Sequence, residues 1–202
     1  MLTSAIFKPG KCMRGLLQMK HPARRALLAV GAVSFLYIVT SAVLAVAGAA
    51  PTAPVFFGMD VGNYYFWQMI FVLPLILTAW LLSSGVLFLP GKRKSCGPGF
   101  GGTAALGAVT LSALLVVVWV PTAVYAVFMA LGMGQEEWVT ILSVRGPWQT
   151  AFLFWYAGAA IRAVHDFVLA ARLVRNRSGL DALLAGAGAA AVAIGAYVAL
   201  IR

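Results

Sequence analysis

The chain has 202 residues, 62% hydrophobic and only 10% charged, with a net charge of +10. Soluble domains carry roughly 25% charged residues, so this composition excludes an ordinary soluble domain. The positive balance invites a nucleic-acid partner, but its placement argues against one, because the basic residues collect in the connections between long apolar runs.

Residues 1–25 read as a basic arm, carrying Lys8, Lys11, Arg14, Lys20, Arg24 and Arg25. Its small apolar clusters, Ala5-Ile6-Phe7 and Leu16-Leu17, suit a segment lying on a membrane surface. Five runs without a charged residue follow, between Arg25 and Asp60, Asp60 and Lys92, Lys94 and Glu136, Arg145 and Arg162, and Asp181 and Arg202. A helix needs about 20 apolar residues to cross a bilayer. The expected architecture is therefore an all-α polytopic transmembrane bundle over residues 26–202, with spans near 26–50, 64–89, 105–131, 148–172 and 182–201. Arg24-Arg25 ahead of an apolar run that closes on small residues mimics a secretory or twin-arginine signal. The run is longer than the 7–15 residues of a signal core, so an uncleaved first span is expected.

Pro51 and Pro54 open an outer loop. The cluster Tyr64, Tyr65, Phe66 and Trp67 stands where the chain re-enters the bilayer, as an interfacial aromatic belt would. Pro74 and Pro121 fall inside the second and third spans and are expected kinks. Residues 132–147 read as a second outer loop, and Pro147 suits the first turn of the fourth helix. The last span places Ala187, Ala191, Gly195 and Ala199 at four-residue spacing, a stripe that lets two helix backbones approach closely.

Twelve of the 15 basic residues lie on alternate connections: six in the arm, then Lys92, Arg93 and Lys94, then Arg172, Arg175 and Arg177. An excess of Lys and Arg marks the cytoplasmic side. The N-terminus is therefore expected in the cytoplasm and the C-terminus outside. Lys92, Arg93, Lys94, Arg172, Arg175 and Arg177 would meet anionic lipid head groups. Cys12 and Cys96 fall on the reducing side and are expected as thiols.

Arg162, His165 and Asp166 break the apolar pattern of the fourth helix. Offsets of three and four bring His165 and Asp166 within reach of Arg162. Arg162 lies roughly 15 Å deeper than Arg172, where a charge needs a partner, and Asp166 is the expected one. Two readings stand: a structural pair that sets helix position, and an interior site for a proton, an ion or a lipid head group. Other chemistry is poorly supplied. Five carboxylates in the chain, three of them in outer loops, starve a metal site, and no metal or other cofactor is expected. Ser84-Gly85 with His165 lacks the glycine two positions before the serine that an intramembrane serine protease would carry. The glycine-rich stretch Gly97 to Gly102 lacks the Lys-Ser or Lys-Thr of a phosphate loop.

The order of features resembles the Yip family (Ypt-interacting proteins), small five-span membrane proteins, in its bacterial branch. The features are a second span ending in Trp80-Leu81-Leu82-Ser83-Ser84-Gly85-Val86-Leu87-Phe88, a basic and glycine-rich turn from Lys92 to Gly102, and a proline-bearing third span. A fourth helix with Trp148, Tyr156 and Arg162-Ala163-Val164-His165 and an Ala/Gly-rich last helix complete it. The Asp-Leu-Tyr-Gly-Pro element of the eukaryotic members is absent. The resemblance covers Ala26 to Arg202 and implies a non-enzymatic scaffold or organiser of a bacterial cytoplasmic membrane. Such a protein would work through lipid contacts and helix contacts with a membrane-protein partner or a second copy. No catalytic residue follows from it. The alternatives are a small transporter or channel subunit with a polar site on the fourth helix, and an accessory subunit of a larger membrane enzyme.

Overall fold

The computed structural model describes residues 2–51, 61–88, 98–143, 146–175 and 179–198. Eight α-helices and no strand occur among them: α1 (Leu2–Phe7), α2 (Pro9–Leu17), α3 (Pro22–Val46), α4 (Tyr64–Phe88), α5 (Phe100–Ala130), α6 (Gln135–Ser143), α7 (Pro147–Arg175) and α8 (Gly179–Ala196). Five of them, α3, α4, α5, α7 and α8, are long and apolar enough to cross a membrane. This is a helical membrane protein.

Local chemistry fixes the helix ends. Pro9, Pro22 and Pro147 stand in the first turns of α2, α3 and α7, where no N–H is required and the ring presets the helical φ. Gly48 and Gly132 close α3 and α5 with φ of 65° and 93°, a left-handed conformation that suits glycine. Two segments depart from expectation. The arm contains α1 and α2, and the outer connection contains α6, a nine-residue helix that buries Trp138.

The long helices form a ring in the order α3, α4, α8, α7, α5, with α4 also touching α5 across it. Residues Thr103 to Leu115 of α5 are buried on every side. That follows from α1 and α2, which cover the flank of α5 that the other spans leave open. Met13 and Leu16 of α2 are about 1% exposed, and Gly10 faces Leu169 of α7. The arm thus buries one face in the bundle, where the sequence alone suggests an independent surface segment. The hydrophobic gain of burying Met and Leu, roughly 1.5–3 kcal/mol each, favours that placement.

Membrane interiors give backbone carbonyls and side-chain donors no water, so each needs an internal partner. Pro121 has no N–H for the Val117 carbonyl one turn earlier. The Trp155 indole of α7 donates to that carbonyl at 2.8 Å and ties α5 to α7. Trp80 donates to the Ala104 carbonyl at 2.7 Å, Trp119 to the Thr40 hydroxyl at 2.9 Å, and Tyr37 to the Leu115 carbonyl at 3.0 Å. These bonds join α4 to α5 and α3 to α5.

Helix α8 packs through small residues, but not through the stripe expected. Its buried face is Ala182, Ala185, Gly186, Ala189, Ala190 and Ala193. Ala187 is half-buried, Ala191 and Gly195 are exposed, and Ala199 lies outside the described residues. A Cβ at Gly186 would stand 2.5 Å from the backbone N of Val168, whereas one at Gly195 would meet nothing within 4 Å. Alanine and glycine occupy so much of this helix that four-residue spacing alone could not tell one stripe from the next. The packing neighbours α4 and α7 decide it.

Candidate functional site

Two polar features stand out, a charged knot at mid-depth on α7 and an aromatic cavity nearer the end of the bundle that carries α6. In the knot, Asp166 is the hub, with a side chain only 5% exposed. Arg162 donates from Nε to Asp166 Oδ2 at 3.2 Å, one helical turn away. His165 Nδ1 lies 2.9 Å from Asp166 Oδ1. The two atoms are within hydrogen-bond distance, with the donor set by the imidazole tautomer. The expected Arg162–Asp166 pair is present. His165, expected within reach of Arg162, bonds Asp166 directly.

A second donor group of Arg162 goes where no side-chain pattern pointed. Nη2 donates to the Ala5 carbonyl at 3.4 Å and to the Ile6 carbonyl. Both belong to the last turn of α1, whose carbonyls have no partner further along the helix. A cation there also meets the negative end of the helix dipole. Arg162 thus neutralises Asp166 and anchors the N-terminal helix with one guanidinium. Its side chain is 35% exposed and that of His165 67% exposed.

The knot does not extend to the other residues considered with it. The Ser84 hydroxyl is buried beside Gly107 without a hydrogen bond, so no bond joins it to His165. Among the described residues, no three His, Cys, Asp or Glu side chains converge as metal ligands. Burial pushes the Cys12 thiol above its ordinary pKa, which makes it a poor nucleophile. Arg172 is exposed, at the end of α7 away from α6. Lys92, Arg93, Lys94, Arg177 and the side chain of Arg175 lie outside the described residues.

The cavity has a volume of about 250 Å³. All six tyrosines of the chain line it: Tyr37 from α3, Tyr64 and Tyr65 from α4, Tyr125 from α5, Tyr156 from α7 and Tyr197 just beyond α8. Four of the five spans therefore contribute at least one, and the end of the fifth adds another. Gln68, Thr122 and Gln149 add neutral polar groups, and among the described residues no charged one is in the lining. Trp138 and Leu142 of α6 close one side. Trp138 stacks on Tyr125 with ring centroids 5.1 Å apart. Gln135, at the start of α6, donates to the Ala50 carbonyl at 3.1 Å and accepts from the Tyr125 hydroxyl. The lone pairs and donors of one glutamine thereby pin α6 to α5 and to the end of α3.

The cavity lies where α5 loses its close neighbours. Its small, fully buried stretch ends at Leu115, and Pro121 and Thr122 border the open space beyond. The cluster Tyr64 to Trp67 divides here. Tyr64 and Tyr65 turn inward and are buried, while Phe66 and Trp67 remain exposed as belt residues would.

Comparison with models of known protein families, with curated proteins and with solved structures gives no match. The likeness to the Yip family thus rests on the order of sequence features alone. The function must be argued from the two sites themselves.

Proposed function

We propose that this protein is a non-enzymatic membrane binding protein of the small-transporter class, which takes a small uncharged molecule into the tyrosine-lined cavity. The observation that carries this reading is the convergence of all six tyrosines on one space whose described lining carries no charge. Packing alone would fill such a space, since cores in which nothing binds reach close-packed density. A scaffold acting only through its outer faces would need no such opening. Concave, largely apolar sites between helices with a few polar groups are the usual form of small-molecule sites.

The Arg162–Asp166–His165 knot acts in this reading as a positioning element that holds α1 against α5 and α7. The Lys and Arg bias supports a cytoplasmic N-terminus and a cavity toward the outer side of the membrane, and the likeness to the Yip family favours a bacterial cytoplasmic membrane. Exposed Phe154 and Ile161 on α7 offer a face for lipid, a partner or a second copy.

Gentle extraction followed by native mass spectrometry tests the proposal. A small organic molecule should accompany the wild-type protein and be lost from Thr122→Trp, which fills the cavity. Helicity and elution volume monitor the fold of the variant. Equal retention of the molecule by a folded Thr122→Trp variant would refute the assignment of the site.

A further inference from the structure

Taking the cavity to be the binding site proposed above, we infer that its occupant is an uncharged planar ring edged with oxygen, of the phenol or quinone class. Charge is the first constraint. Among the described residues, no Lys, Arg, His, Asp or Glu lines the space. The nearest charge along α7, Arg162, stands six residues from Tyr156 and is already engaged by Asp166 and the α1 carbonyls. An ionised ligand would lose its hydration and gain no counter-charge from the described lining.

Shape is the second constraint. The lining is dominated by aromatic faces, six tyrosines together with Trp138 and Phe152. Trp138 and Phe152 meet at 6.0 Å and 67°, and Tyr125 stacks on Trp138 at 25°. Flat rings enter such walls by offset stacking or edge contact with centroids about 4.5–7 Å apart. The volume of about 250 Å³ falls just below the usual range of roughly 300–1,000 Å³ for drug-sized ligands, which suits a single ring.

Polar handles are the third. Among the described residues, neither the Thr122 hydroxyl on α5 nor the Gln149 amide on α7 makes a hydrogen bond, and both line the cavity. A ring oxygen gives these donors an acceptor. A bare hydrocarbon would leave them unpaired, and a polyol would bring more polar groups than the apolar walls can answer. Leu153 also lines the cavity while 66% exposed, next to exposed Phe154 and Trp155, so the wall reaches the outer surface of the bundle. The ring can therefore come from a tailed membrane molecule or from a free one.

Calorimetric titration of the intact protein in lipid nanodiscs, with empty nanodiscs subtracted, tests the inference. The probes are tetramethylbenzoquinone, cyclohexanedione (a puckered ring with similar oxygens) and toluate (a charged ring). Tetramethylbenzoquinone should bind at one saturable site, about tenfold or more tighter than either control. Gln149→Leu and Thr122→Val should each weaken it about fivefold at unchanged helicity and elution volume. Equal or tighter binding of toluate or cyclohexanedione would overturn the ring class while leaving the cavity a binding site. Absence of saturable binding by all three probes would overturn the cavity reading as well. Unchanged affinity in both folded variants would remove the ring from this cavity. A decyl tail on the quinone identifies the source: tighter binding points to a membrane-borne ring and weaker binding to a free one, and either result supports the ring class.

Discussion

Replacing Gly186 with alanine tests the α7–α8 contact on which the closed side of the ring depends. The added Cβ would stand 2.5 Å from the Val168 backbone N and 2.7 Å from its Cγ2. A backbone atom cannot rotate aside as a side-chain tip can. The two helices must therefore part by about 1 Å to restore van der Waals separation, and a gap of that size forfeits a quarter to a half of each dispersion contact. The face affected holds Ala182, Ala185, Ala189, Ala190 and Ala193, all buried. Overpacking of this kind costs about 3 kcal/mol at the upper end of its usual range. Alanine returns about 1 kcal/mol through helix propensity, so the net loss is about 2 kcal/mol. Gly195→Ala provides the control, because its Cβ meets nothing within 4 Å and only the propensity gain of about 1 kcal/mol remains. The two variants should differ by about 3 kcal/mol in reversible unfolding in mixed micelles followed by circular dichroism. Equal stability of Gly186→Ala and Gly195→Ala would refute the packing assignment. A loss at Gly195 alone would restore the stripe Ala187, Ala191, Gly195 and Ala199 as the close contact.

Further predictions concern the polar ties. Asp166→Ala strands a guanidinium that is only partly exposed and should cost about 2–3 kcal/mol, below the full figure for a buried pair because Arg162 retains the α1 carbonyls and some solvent access; normal accumulation and assembly in membranes would defeat this. Trp155→Phe should cost about 1 kcal/mol through the lost bond to the Val117 carbonyl. The same change in a Pro121→Ala background should cost less, because the substituted alanine supplies that carbonyl with a backbone N–H; a double-mutant cycle with no coupling would exclude that account.

The long apolar spans were legible in the sequence because a bilayer demands about 20 uncharged residues per crossing and tolerates few exceptions. Helix ends were legible too where proline or glycine marks them, as at Pro147 and Gly132. The Arg162–Asp166 pair could be read because both partners sit on one helix at a fixed offset. The bond from Arg162 to Ala5 and Ile6 could not, since its acceptors are main-chain atoms more than 150 positions away and carry no side-chain signature. The phase of the α8 stripe was lost for a different reason. With alanine or glycine at nearly every turn, the pattern is compatible with several faces, and only the positions of α4 and α7 choose among them.

The tyrosines show how a site can be present in a sequence and still escape it. Each has a sufficient local explanation, as an interfacial ring at Tyr64 and Tyr65 or as an isolated polar aromatic elsewhere in a span. Their common direction is a property of the ring of helices, which brings α3, α4, α5, α7 and the end of α8 around one space. The same topology assigns the two halves of the bundle different work. Where α1 and α2 complete the burial of α5, small residues let backbones meet, as Gly107 meets Ser84 and Gly186 meets Val168. Beyond Leu115 the residues become large, a proline opens the backbone ladder at Pro121, and aromatic rings border a cavity they do not fill. Close packing at one end thus fixes the helix positions that hold the other end open. A change that loosens the closed half, such as Gly186→Ala, should therefore weaken cavity binding without touching any residue that lines it.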